Sequence, residues 1–179
     1  MNVRRTAGCL LATLAALMVQ IALSRCFPAL SERLDLLLLV VVYYGLTGAQ
    51  ITSMLAGAAA GLLQDVWFGS LLGRNGFKKV LTGYLVGVFG TRLSLEAPLT
   101  QAAVLALATL ADHVTGVLVA EILGLPLADP FPRMVAERAI VNALFGTACY
   151  AAVRRMSRAH ESRLAGRSRR LARSLKAAR

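Results

Sequence analysis

Between Asp35 and Asp65 lie 29 consecutive residues without a charge. As one helix they would reach roughly 43 Å at about 1.5 Å per residue, longer than a hydrocarbon core of about 30 Å. Gly45-Leu-Thr-Gly48 near the middle offers a break, so the run reads as two short spans, 33–46 and 49–64, joined by a tight turn. The same pattern recurs along the chain. Residues 6–23 are apolar apart from Gln20 and follow Arg4 and Arg5. A cleaved signal peptide is the other reading of that segment, but the apolar segments after it favour an uncleaved first span. Further spans are predicted at 77–90, 98–123 and 133–153. Lys78-Lys79 opens the fourth with aliphatic stems that can snorkel, and Pro98 opens the fifth where its missing N–H costs nothing. Residues 64–76 read as a loop, and Pro126, Pro130 and Pro132 mark an extramembrane connection.

Composition supports lipid as the solvent. Hydrophobic residues make up 57% of the chain and charged residues 16%, against roughly 25% charged in a soluble domain. The net charge of +11 is concentrated after residue 153, where ten Lys/Arg face one acid, Glu161. A high isoelectric point can indicate nucleic acid, but a cationic segment behind membrane spans does not, and no nucleic-acid partner is expected. Basic flanks favour the cytoplasm. With six spans and both termini inside, cytoplasmic segments hold 13 Lys/Arg and external ones seven; without the tail the bias reverses.

The tail has a pattern of its own. Val153, Met156, His160, Leu164, Leu171 and Leu175 recur at helical steps between Arg154, Arg155, Arg158, Arg163, Arg167, Arg169, Arg170 and Arg173. That spacing describes either an interfacial helix drawn to anionic lipid or a disordered basic segment that fixes topology.

An ionisable group within a span is expensive and therefore a functional candidate. Asp65, the adjacent Asp112-His113 and Glu121 qualify. Asp65 is expected to accept hydrogen bonds from the backbone of 66–69 and pin a turn. Asp112 is expected to be a buried group, protonated or hydrogen-bonded, and Glu121 to sit at the interface. His113 projects about 100° from Asp112, so the two are no ligand pair. Cys9, Cys26 and Cys149 have no metal or redox spacing. No phosphate-cradling loop, metal set or nucleophile–base arrangement is present, so neither a cofactor nor an enzymatic activity is expected. Ser53, Gly57 and Gly61 recur every fourth residue, as do Gly83 and Gly87 beside Tyr84. Such stripes let helix backbones approach closely in lipid, within the chain or against a partner.

Several segments together resemble the rod shape-determining MreD family: the run Leu36-Leu-Leu-Leu-Val-Val-Val-Tyr-Tyr44, the small-residue helix Gly57 to Asp65, the loop Gly69-Ser-Leu-Leu-Gly73, the pair Tyr84-Leu85 after Gly83, and Asp112 in the next span. The resemblance implies an all-α six-helix inner-membrane bundle, similar to the substrate-binding subunits of energy-coupling-factor vitamin importers. It implies a non-enzymatic role in cell elongation beside MreC, RodA with its penicillin-binding transpeptidase, and the MreB cytoskeleton. The second hypothesis is a vitamin carrier, which should offer a polar, aromatic-lined pocket near the outer face. With aromatics at 6% and only Trp67, Phe77 and Phe131 in the outer loops, the scaffold is favoured.

Overall fold

The structure is a computed structural model that describes residues 3–47, 50–90, 97–125 and 132–177, with the backbone path alone for 3–6, 132 and 157–177. The described residues are all helical, without strands. The helices are α1 (Val3–Cys26), a single turn α2 (Pro28–Ser31), α3 (Leu36–Leu46), α4 (Gln50–Phe68), α5 (Arg74–Gly90), α6 (Pro98–Ile122) and α7 (Pro132–Ala177).

Polarity is turned inside out relative to a water-soluble domain. Thr13, Gln20, Ser53, Asp65, Lys79, Thr82, Asp112 and Asn142 are buried, while Leu11, Leu99, Ile122 and Leu144 are more than two-thirds exposed. An apolar exterior of this extent is stable only in an apolar solvent. Segments Ala7–Cys26, Gln50–Phe68 and Pro98–Ile122 are long and apolar enough to cross a membrane. With its roughly 16 Å length, α3 is too short to cross unaided. It lies at the centre of the bundle, sheathed by α1, α4, α5, α6 and α7, and Leu37, Leu38, Val41 and Val42 are fully enclosed.

Helix boundaries differ from the sequence reading for local reasons. The second span starts at Leu36, not 33, because the Asp35 carboxylate accepts from Leu38 N and caps the helix. The break between α3 and α4 includes Gly48 and Ala49, which lie outside the described residues. Helix α4 runs four residues beyond the expected end, so the loop read over 64–76 shrinks to 69–73. Its stop is Gly69 at φ 65°, and Gly73 at φ 94° opens the way into α5. Both angles are costly for any side chain, so the Gly-x-x-x-Gly spacing here serves a turn. The connection 126–131 and Arg92 lie outside the described residues. Beyond 153, α7 continues without a break as helical backbone to Ala177. The side chains of Arg158, Arg163, Arg167, Arg169, Arg170 and Arg173 lie outside the described set.

The most extensive interface joins α4 to α5, and the two small-residue stripes form it. A Cβ on Gly83 would stand 2.8 Å from Ser53 O, and one on Gly87 2.9 Å from Gln50 Cα. On Gly57 or Gly61 it would strike the backbone of Lys79 or Asn75. Ser53, beside this contact, donates its hydroxyl to Val41 O at 2.8 Å. These five residues are used within the molecule and leave no surface for a partner. Tyr84 does not join them; it stays 43% exposed on the outer side of α5.

Candidate functional site: a charged cavity at one end of the bundle

Alternating helix directions bring the start of α3, the end of α4, the start of α5 and the later part of α6 to one end of the bundle. The charges on those segments therefore meet at similar depth. Lys79 Nζ donates to Asp35 Oδ2 and lies 3.9 Å from Asp112 Oδ1. Lys78 Nζ pairs with Asp112 Oδ2 at 2.9 Å and donates to Asn75 Oδ1 at 3.3 Å. Asn142 of α7 accepts from the Asp35 backbone N–H at 3.0 Å and donates to Thr109 Oγ1 at 3.2 Å. Gln20 completes the layer from α1: Nε2 donates to Leu34 O at 2.9 Å, and Oε1 accepts from Leu36 N–H at 3.1 Å. Charges and amides thus tie α1, α3, α5, α6 and α7 together where apolar packing alone would leave backbone groups unsatisfied.

Two sequence readings are corrected here. Asp112 is buried as expected, but the protonated alternative gives way to an ion pair with Lys78. The lysine pair does not snorkel as a unit: Lys78 is partly buried, and the Lys79 side chain is 1% exposed. Neither lysine had been singled out for chemistry, nor had Asp35, Gln20 or Asn142. The missed signal was depth, since in an up-and-down bundle residues near alternate span ends share one layer. His113 also faces this region, on the neighbouring side of α6. Glu121 is exposed near the end of α6.

Asp65 organises the adjoining turn. Its carboxylate accepts from Ser70 Oγ at 2.6 Å, Gly73 N at 2.8 Å, and Asn75 Nδ2 at 2.8 Å. The donors come from 70–76, not from 66–69, because α4 continues through Phe68 and its own ladder holds those N–H groups. Burial is nearly complete at 1% exposure, and the charge is met by fixed dipoles.

Above this layer opens a cavity of about 430 Å³ lined by Gln20, Gln64, Lys78, Asp112, Arg138 and Asn142, among others. Among the described residues, the buried Asp112 Oδ1 and Gln64 Oε1 meet no hydrogen-bond donor, although Asp112 Oδ1 stays within ion-pair range of Lys79 Nζ. Among the described residues Phe68 is the one Phe, Tyr or Trp ring in its lining; Trp67 and Phe77 are about half exposed elsewhere, and Phe131 lies outside the described residues. Among the described residues no three His, Cys, Asp or Glu side chains could hold a metal. The arrangement is suited to binding and to bracing helices; it does not place a nucleophile beside a base.

The Asp112 pair is directly testable. Asp112→Asn keeps the shape but leaves Lys78 without its counter-charge, at a cost on the order of 1–3 kcal/mol. A lower thermal midpoint in detergent is expected; an unchanged midpoint would show that the carboxylate's charge is dispensable.

Comparison with known proteins places this architecture. No curated protein and no solved structure matches the chain. The family model described as rod shape-determining protein MreD matches residues 4–158, from the first turn of α1 to the early basic tail. The chain therefore belongs to the rod shape-determining protein MreD family, whose members are membrane proteins of cell-shape determination.

Proposed function

We propose that this protein is a non-enzymatic scaffold of the bacterial cell-elongation complex, spanning the inner membrane six times with both termini in the cytoplasm. In this reading it binds MreC and through it supports peptidoglycan synthesis by RodA and its transpeptidase, with MreB reached indirectly. The observation that carries the reading is how the buried charge is used. Asp35, Lys78, Lys79 and Asp112 pair with one another across α3, α5 and α6, so the costly groups fix a shape and leave no reactive centre.

The cavity favours a second reading, a vitamin-type carrier similar to an energy-coupling-factor subunit. Against it, most charges at the cavity are already matched, and aromatic rings suited to stacking a planar solute are nearly absent from the lining.

Affinity purification of the tagged full-length protein in mild detergent separates the two. The scaffold predicts recovery of MreC at near-stoichiometric levels. Recovery of an importer's ATPase module without MreC would overturn it. Impermeant labelling of cysteines placed at positions 2 and 179 should fail at both sites in intact cells; labelling at one alone would refute the six-span count, and labelling at both would refute the orientation.

A further inference from the structure

A second cavity of about 500 Å³ opens sideways between α1 and α7, with α3 as its floor from Leu36 near the charged layer to Leu46 at the other end. The gap follows from the fold: α3 touches both neighbours, while α1 and α7 share no interface. Ala12 and Ala16 form one wall, Leu39 and Tyr43 line the floor, and Phe145 and Tyr150 form the other wall. The lining is apolar apart from the tyrosine hydroxyls and Gln101. At the tail end the rings gather, with Tyr43 5.5 Å from Tyr44 and 5.8 Å from Tyr150. There the Arg154 guanidinium lies 5.8 Å from the centre of the Tyr150 ring, and exposed Arg155 follows.

Charge is segregated along the bundle. Every acidic side chain the structure describes (Glu32, Asp35, Asp65, Asp112, Glu121 and Glu137) belongs to the opposite end or to its half of α6 and α7. Among the described residues, the charged groups at this end of the groove are Arg154 and Arg155, beside Tyr43, Tyr44 and Tyr150, the combination found where a chain meets the headgroup layer. A spanning helix about 10–12 Å across and about 30 Å long displaces roughly 2,400–3,400 Å³, several times what the groove holds. A narrower occupant fits.

We infer that this groove binds one anionic phospholipid from the leaflet on the tail's side, an acyl chain lying along α3 and the phosphate beside Arg154 and Arg155. The site is independent of the rod-complex reading and stands or falls on lipid binding alone. It would give the basic tail a fixed point of departure from the bilayer, since α7 leaves the groove at Val153 and continues as helix.

Native mass spectrometry of the full-length protein, released from micelles holding equal phosphatidylglycerol and phosphatidylcholine, tests the site. The wild type should retain one phosphatidylglycerol. Arg154→Gln should lower the preference for phosphatidylglycerol about fivefold, as expected for one basic residue at the surface. Ala16→Trp should abolish retention of either lipid, with its thermal midpoint monitored to show that the fold survives. Arg154→Gln sits on the surface and tests the headgroup contact even if Ala16→Trp unfolds. Wild-type preference in Arg154→Gln, or retained lipid in a folded Ala16→Trp, would overturn the proposal. Displacement of the lipid by one equivalent of a single-span partner would also overturn it and assign the groove to a helix.

Discussion

Lys79→Met is expected to be among the most damaging single substitutions in this protein. The Lys79 side chain is 1% exposed and its ammonium is held between Asp35 and Asp112. Methionine matches the stem but removes the charge, leaving Asp35 in a largely buried site with its Leu38 and Asn142 contacts but no cation. Removing one partner of a buried pair costs about 3–5 kcal/mol, a large share of a typical net stability of about 5–15 kcal/mol. The loss should appear as a markedly lower thermal midpoint in detergent and reduced steady-state protein. Asp35→Asn retains an N-cap oxygen while removing the opposing charge. Combined with Lys79→Met, it should be less harmful than the two losses added together, because no uncompensated ion remains between these partners. Strict additivity in that double-mutant cycle would show that the two groups do not interact, and a wild-type midpoint in Lys79→Met would remove the ion-pair layer as the brace of the bundle.

Much of the helical plan was legible because it depends on two strong local signals. Apolar runs poor in charge placed every major helix, and Pro98 marked the start of α6. What escaped depends on relations between distant segments. Lys78-Lys79 at the start of a span looks the same in sequence whether the side chains reach water or turn inward. Only the presence of Asp35, 44 residues away, and Asp112, 33 residues away, decides the matter. Gln20 broke an otherwise apolar run and Asn142 sat within another, yet nothing local indicated that both would serve the start of α3. The Asp65 turn was recognised as a turn, but its donors were misplaced. Val66, Trp67 and Phe68 continue the helix, and the break waits for a residue able to adopt φ 65°. The glycine stripes were visible as close-packing devices, whereas their counterpart was not: a period of four fits an internal neighbour and a foreign helix equally well.

That ambiguity gives the second large prediction its form. Gly61 lies against the backbone of Asn75 and Gly76, and Gly57 against that of Lys79 and Val80, in each case closer than the 3.0 Å that real Cβ atoms respect. Backbone cannot rotate aside as a side-chain tip can, so even alanine at either position must push α4 and α5 apart. Overpacking of a tight contact costs about 1–3 kcal/mol. Here it would also displace Lys79 from Asp35 and the Asn75 donors from Asp65, so Gly61→Ala should reach or exceed the upper end of that range, and Gly61→Leu should prevent accumulation of folded protein. Gly76→Ala provides the control from the same interface. Its added methyl would meet Leu62 at 3.5 Å, an ordinary van der Waals contact, and alanine is the better helix former by about 1 kcal/mol. Gly76→Ala should therefore be neutral or mildly stabilising despite being fully buried. If the glycines served only a partner, purified Gly61→Ala would melt like the wild type and fail only in capturing MreC. Loss of stability in the isolated protein, with Gly76→Ala unaffected, is the result that an internal α4–α5 seam requires.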